Sequence, residues 1–387
     1  MTKQWQENDD VTSLRNNLRQ FRRDAGRSQQ ELSAMAGISR QAYLAVESGK
    51  SVPSTEVALR LARALGTQVD ELFSLAGGQP QNTKAQLIGG TTVGEHIGAP
   101  FQPQRARLWR VGGRLWARPV IGPSAARHSL ADAEGVILPS PVGASQVTVR
   151  PFDEAELESP GLSILGCDPA MALLEPWLGR RGVRLVSSEE SSYKALTGLA
   201  LGEAHVAGCH LRDDVTGEYN RSWVRRLVPF PCVLVTFASW QQGLIVMPGN
   251  PKKIFDVDDL ARPGVRIVNR ESGSGSRSLL DRLLNSHGIP EDAVEGYDRD
   301  ASGHLAVAGA VAAGIADAGV GVQVAASALG MGFAPLEEER YDLVIPNHLL
   351  NEPGVQALLD LLRNPGLRRR VEALGGYDVS DMGRTAA

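Results

Sequence analysis

Apolar positions along the chain change rhythm twice. Between Ser13 and Phe73 they recur at helical spacing in short bursts: Leu14, Leu18 and Phe21, then Leu32 and Ala36, then Val57, Leu61 and Leu65. Polar starts and glycine stops punctuate these bursts. Ser28 with Glu31 forms a capping-box pattern, Gly37 suits a left-handed helix end, Ser39 caps the next helix, and Ser54 caps another after Pro53. The pattern predicts an all-α domain over 12–75, with two helices flanking the tight turn "AGIS". From Gly161 the rhythm is different. Short apolar runs, "LSILGC", "VRLV" and "AHVAGCHL", alternate with helical stretches such as "DPAMALLEPWLGR" and "SSYKALTGLALG". Buried strands with crossover helices predict a parallel, doubly wound α/β sheet; were its order 2-1-3, the first and third strands would be neighbours and Cys167 and Cys209 could face one crevice. After "CVLVTFASW", "GLIVMPGNP" and "VRIVNR" a second series begins, containing "HLAVAGAVAAGIADAGVGV". Two α/β lobes over 160–350 imply a cleft between them, with ligands at the carboxyl ends of strands.

The remaining stretches are less periodic. Residues 76–104, rich in Gly, Pro, Gln and Thr, read as a linker. Over 105–155 a small β-rich segment is predicted: "RLWRVGGRLWARPV" is a hairpin signal around Gly112-Gly113, "SQVTVRPF" adds a strand, and Trp109 and Trp116 read as core. Residues 351–387 read as a C-terminal helix and tail.

Composition narrows the class. A chain of 387 residues exceeds one typical core, so several domains are expected. A net charge of −4 excludes a globally basic nucleic-acid coat but not one small DNA-binding module. The start "MTKQWQENDD" has no apolar signal region and no later run is long enough to span a bilayer, so a cytoplasmic protein without membrane contact is expected. Cys167, Cys209 and Cys232 are odd in number and lack a CxxC pair, which argues against a disulfide framework and a structural zinc site.

"SQQELSAMAGISRQAYLAVESGK" closely resembles the helix-turn-helix of the XRE family, the lambda and 434 repressor type. The resemblance places Arg40, Gln41, Leu44 and Ala45 on the outward face of the recognition helix, with Tyr43 and Val46 turned inward. Arg40 and Gln41 suit base edges, whereas Gln29, Ser39 and Lys50 would position phosphates. Glu47 fits a structural role at the helix end. The implied partner is double-stranded operator DNA, bound by a homodimer because one such module binds weakly.

The second half, through "GCDPA", "AGCHLRDDVTGEYN", "QGLIVMPGNP", "NRESGSGSRSLLD", "GAVAAGIADAGVGV" and "ERYDLVIP", resembles the periplasmic-binding-protein superfamily. More narrowly, it is similar to the domain grouped with molybdate-type binding proteins and often fused to a DNA-binding domain. Tungstate and phosphate binders of that superfamily carry an Arg, three residues, then Ser-Gly-Thr. Here that spacing gives Arg270, then Ser274, Gly275 and Ser276, implying a small anionic effector held by a guanidinium, hydroxyls and helix-start amides. In the opposite lobe Cys167 and Asp168 stand where oxyanion binders place Ser or Thr. Asp168 reads either as a helix cap or as a carboxylate facing the ligand; in the second case a molybdopterin-type molecule suits the cleft better than bare molybdate or tungstate. Ser191 and Ser192 begin the next helix, Cys209 and His210 end the third strand, and Tyr341 is expected to cover the ligand.

Together these features describe a ligand-responsive, one-component transcription regulator, with no catalytic residue or bound metal expected. Two alternatives stay open: an enzyme or cofactor carrier using the cleft, and a thiol- or metal-dependent sensor built on Cys167, Cys209 and His210.

Overall fold

The computed structural model describes residues 14–75, 81–88, 104–120, 133–141, 143–213 and 215–386. The chain divides into two compact units near Gln81.

The first unit is a helical bundle. It contains α1 (Leu18–Asp24), α2 (Gln29–Ala36), α3 (Arg40–Glu47), α4 (Thr55–Leu65) and the short α5 (Val69–Leu72). Two strands, β1 (Leu14–Asn16) and β2 (Phe73–Leu75), pair antiparallel and tie its ends together. The predicted signals operate as hydrogen bonds: Ser28 and Glu31 complete a capping box, Ser39 accepts from the Ala42 amide, and Gly37 ends α2 at φ 71°. Leu18, Leu32, Ala36, Tyr43, Val46, Leu61 and Leu72 fill the core. Each fully buried leucine there contributes about 1.5–3 kcal/mol of transfer free energy.

The second unit opens with a barrel. β3 (Thr83–Leu87), β4 (Gln104–Val111), β5 (Arg114–Pro119), β6 (Gly135–Ile137) and β7 (Gln146–Pro151) close in the order β3-β5-β4-β6-β7. This corrects the predicted linker over 76–104. Thr83–Leu87 pairs antiparallel with β7 and parallel with β5, partners distant in sequence that supply the stability its own short pattern lacks. β4 and β5 form the expected hairpin, with Trp109 opposite Trp116. Both indoles join an apolar cluster with Leu165, Val186, Leu196 and Leu199, and Trp109 Nε1 donates to the Glu203 carbonyl at 2.7 Å. A buried Arg107–Glu134–Arg184 group joins the barrel to the same lobe. The β-rich segment is thus built onto the α/β body.

After α6 (Glu154–Glu158) come β8 (Gly161–Leu165), β9 (Arg184–Ser188) and β10 (Val206–Cys209), parallel and in the order β9-β8-β10. These strands, with α7 (Glu175–Gly179), α8 (Ser192–Ala200) and α9 (Arg221–Leu227), form lobe one. The rest of the sheet is not parallel, contrary to the doubly wound expectation. β11 (Cys232–Val246) and β15 (Gly332–Pro346) are fifteen residues long, pair antiparallel along their lengths, and run from lobe one into lobe two. Their register shifts between Thr236 and Ala238 and again between Gln242 and Gly243. Lobe two adds β12 (Asn269–Arg270), α10 (Gly275–Ser286), β13 (Asp300–Ala301), α11 (His304–Ala312), β14 (Ala318–Val322) and α12 (Gln323–Ala328).

The C-terminal segment is more than a helix and tail. After α13 (Pro353–Leu362) and α14 (Pro365–Glu372), β16 (Tyr377–Asp378) pairs with β11, and Arg384 and Ala386 bond to the β11 backbone. Burial of Val379 and Met382 in the main core holds this return in place.

Candidate functional site

Helix α3 presents Arg40, Gln41 and Leu44 exposed and Ala45 half-buried, while Tyr43 and Val46 are buried. Ser39 and Lys50 flank that face and are exposed. Glu47 is the bundle's polar keystone: its carboxylate accepts from Arg22 Nε at 2.7 Å, Gln29 Nε2 at 2.6 Å and the Tyr43 hydroxyl at 3.2 Å. The Gln29 amide is therefore held by Glu47, which ties the start of α2 to the end of α3.

In the second unit the cleft residues come from both lobes and are closed upon one another. The Tyr193 amide, at the start of α8, donates to the Gly273 carbonyl of the opposite lobe at 3.3 Å. Gly275, first residue of α10, lies so near His210 that a β-carbon there would fall 2.4 Å from the ring. Cys167, His210, Arg270, Ser274, Ser276 and His304 are all buried.

Each predicted residue has a definite place. Asp168 caps the 3-10 turn at Pro169, accepting from the Ala170 amide at 2.8 Å and the Tyr377 hydroxyl at 2.5 Å. Burial raises its pKa to about 6, against the opposing effect of those two donors. Ser191 caps α8 through the Lys194 amide, and Ser192 Oγ accepts from the His210 amide at 3.2 Å. Tyr341 is fully buried, with its hydroxyl between Gly166 and Gly208, where a β-carbon at Gly208 would lie 1.7 Å away. It packs against Trp240 with ring centroids 4.7 Å apart, so it is a wall of the site and not a mobile cover.

Two expectations need correction. Cys209 does not join Cys167 in the crevice. It packs among Leu165, Ala195 and Leu199 in one apolar cluster, while Cys167 belongs to another, because strand alternation turns Cys209 away. The anion cradle is also altered. Arg270 is fully buried, but its guanidinium is held by Glu271 through Nε at 2.8 Å and Nη2 at 3.0 Å, so a carboxylate already balances its charge. Ser274 Oγ caps α10 by accepting from the Arg277 amide, and the Ser276 hydroxyl donates to Gln242 Oε1 at 3.0 Å.

His304 and Glu339 were not foreseen. Arg270 Nη1 lies 3.1 Å from His304 Nδ1. A guanidinium only donates, so Nδ1 accepts and the proton of the neutral ring resides on Nε2. Burial together with Arg270 and His210 holds His304 well below its ordinary pKa, and its Nε2 has no partner among the described residues. Glu339 Oε2 accepts from His210 Nδ1 at 2.8 Å, Trp240 Nε1 at 3.2 Å and Gln242 Nε2 at 2.8 Å. Cys167 Sγ is 3.3 Å from His210 Nε2. Burial favours a neutral His210, but Cys167 and Glu339 outweigh it and raise its pKa to about 10.

Donor atoms of Cys167, His210 and His304 lie within 4.8 Å of one another, a spacing that fits a metal ion. The protonation of His304 points elsewhere. With Arg270 bonded to Nδ1, Nε2 is a donor and not a ligand, and a cation there would stand beside a buried guanidinium.

A helical DNA-reading module and a two-lobed cleft unit in one chain define a ligand-binding transcription regulator. Family comparisons agree. Residues 18–72 match the helix-turn-helix family and residues 177–363 match the PBP superfamily domain. The Bacillus subtilis (strain 168) protein YvgK is 33% identical over 247 residues, 63% of this chain and 79% of that protein. An HTH-type transcriptional regulator of Methanothermobacter thermautotrophicus is 38% identical over 63 residues, 16% of this chain and 91% of that protein. Among solved structures, a phosphate ABC transporter substrate-binding protein from Clostridium perfringens aligns over 55% of this chain and 97% of its own, at 12% identity and a TM-score of 0.43. The chain belongs to the helix-turn-helix regulators that carry a periplasmic-binding-protein-like domain. No helix among the described residues is long and apolar enough to cross a membrane.

Proposed function

We propose that this protein is a cytoplasmic, homodimeric, one-component transcription regulator whose cleft senses a small anionic ligand and whose α3 reads operator DNA. The observation that carries the ligand reading is His304 Nε2, a buried N–H without a partner among the described residues, which asks for an acceptor. Carboxylates refine the choice. Asp168, Glu189, Glu271 and Glu339 surround the cleft against Arg270 and His210, so a bare dianion meets repulsion that a ligand also offering donors escapes. A molybdopterin-type molecule fits that description better than molybdate or tungstate. Catalysis is not part of this reading. A ligand that binds only the closed lobes shifts the closed population by its preference for that state, and by no more.

The test is calorimetric titration of the full chain with molybdate, tungstate, sulfate, phosphate and a molybdopterin compound. Arg270→Ala combined with Glu271→Ala removes the buried pair without leaving one charge alone. Affinity for the ligand that binds should fall at least about tenfold in this variant, the loss of one charge-assisted contact. Ligand-free DNA affinity should be unchanged. Undiminished ligand binding in the double variant overturns the assignment.

A further inference from the structure

Cys167 follows β8, His210 follows β10 and Glu339 lies in β15, yet their polar atoms form one line. Sγ is 3.3 Å from His210 Nε2, and His210 Nδ1 is 2.8 Å from Glu339. The ionised carboxylate can only accept, so Nδ1 carries a proton. Against burial, Cys167 and Glu339 raise the ring's pKa to about 10, so it holds a second proton on Nε2 at neutral pH and points it at the sulfur. This is the order of nucleophile, base and orienting acid. Every member is fixed: Trp240 and Gln242 hold Glu339, and Ser276 holds Gln242. Cys209 differs: it sits in an apolar cluster on the other face, where burial pushes its thiol pKa up. A fourth group completes the arrangement, since a ring nitrogen of His304 lies within 4.8 Å of the other two donor atoms and its Nε2–H has no partner among the described residues. Beside Cys167, a cavity of about 130 Å³ touches Gly166, Ser188, Glu189 and Leu305.

We propose that Cys167 is a nucleophile that captures a small α,β-unsaturated carbonyl compound in the cleft, with His210, oriented by Glu339, as carrier of its proton and His304 as donor to the carbonyl oxygen. Sγ, its proton held on His210 Nε2, bonds to the β-carbon. The alkene π pair shifts so that the carbonyl oxygen becomes an enolate, which accepts the His304 Nε2–H. His210 then returns the proton to the α-carbon, leaving a neutral thioether adduct. No leaving group is expelled, which suits a site shut between two lobes better than displacement or acyl transfer does. The inference goes beyond the non-covalent effector above and does not rest on that effector's identity.

Acrylamide is the probe, reacted with the full chain and followed by peptide-mapping mass spectrometry, with iodoacetamide in parallel. Cys167 should take acrylamide before Cys209 and Cys232. Glu339→Gln should slow both reagents at Cys167 at least about tenfold, because His210 loses the carboxylate that orients it and stabilises its charge. His304→Phe should slow acrylamide similarly and leave iodoacetamide unchanged, since halide displacement makes no oxyanion; His304→Gln, which keeps an N–H, should recover part of the rate. Circular dichroism establishes that each variant is folded, and the ratio of the two reagents in His304→Phe decides the matter if Glu339→Gln is not. Faster reaction at Cys232, an unchanged rate in folded Glu339→Gln, or equal slowing of both reagents in His304→Phe overturns the proposal. Retained Cys167 reactivity with no anion binding sinks the effector reading alone; anion binding with an inert Cys167 sinks this one alone.

Discussion

Gly275→Ala should act as a wedge between the lobes. The glycine begins α10 in lobe two, and an added β-carbon would stand 2.4 Å from His210 Cε1, 2.5 Å from its Nδ1 and 2.9 Å from its carbonyl oxygen. Ordinary contact needs about 1 Å more, and the backbone oxygen cannot swing aside as a flexible side chain can. Overpacking of this kind costs about 1–3 kcal/mol. Here it falls on the closed arrangement only, because the two residues part when the lobes do. At about 1.4 kcal/mol per decade, the closed-to-open ratio should drop roughly 5- to 150-fold. Stability should not suffer, since alanine at a helical position restricts the unfolded chain and contributes about 0.4–1 kcal/mol. Hydrogen exchange reads the effect without any ligand. The Tyr193 amide, which donates to Gly273 across the cleft, should lose protection by that factor, while the amide of His205, which donates to the Ser163 carbonyl within lobe one, should keep its own. Unchanged Tyr193 protection in a folded Gly275→Ala protein would refute the wedge and the idea that this contact marks closure.

The other predictions concern the DNA-reading unit. Arg40→Ala should relax base preference at one operator position at a cost of about 1–3 kcal/mol, whereas Lys50→Ala should weaken all sequences alike; gel-shift titrations on operator and random DNA separate the two outcomes. Glu47→Ala should destabilise the bundle by about 2–4 kcal/mol in denaturant titration, because Arg22, Gln29 and Tyr43 lose their shared acceptor. Burial opposes ionisation of Glu47, but hydrogen bonds from Arg22 and Gln29 outweigh it and hold the carboxyl below its ordinary pKa. A group depressed in the folded state stabilises above its unfolded pKa, so this contribution should be intact at neutral pH and vanish as acid carries the solution through the depressed value. A bundle whose acid sensitivity is the same in Glu47→Ala contradicts that linkage.

The helical unit was legible because its signals are local. Ser28, Ser39 and Ser54 accept from amides three residues on, and the Gly37 amide donates to carbonyls three and four residues back, so sequence spacing and hydrogen-bond geometry are nearly the same information. The cleft was legible only in outline. Cys167 and His210 could be named from their strand ends, but Cys209 was assigned to the wrong face because its strand boundary decides which way each side chain turns. His304 lay in a run read as an apolar helix; its place directly after Gly303, at a helix start, was the available signal. Glu339 sat in the charged run "EEER", although its two-residue spacing from Tyr341 puts both on one face of β15. Arg270 was recognised, but its pairing with the very next residue was not, since a neighbouring carboxylate is as often turned to solvent as folded back.

The two long strands also govern how this unit folds. β11 and β15 each belong to both lobes, so neither lobe can complete its sheet while the other is unformed. The chain leaves lobe one, builds most of lobe two, and must return through β15 before the first lobe is finished. These pairings join residues about a hundred positions apart, Val233 with Ile345 for example, which places this unit among slow folders of high contact order. Cutting the chain between the lobes should therefore yield two fragments that are each unfolded, rather than two half-sites that can be reassembled.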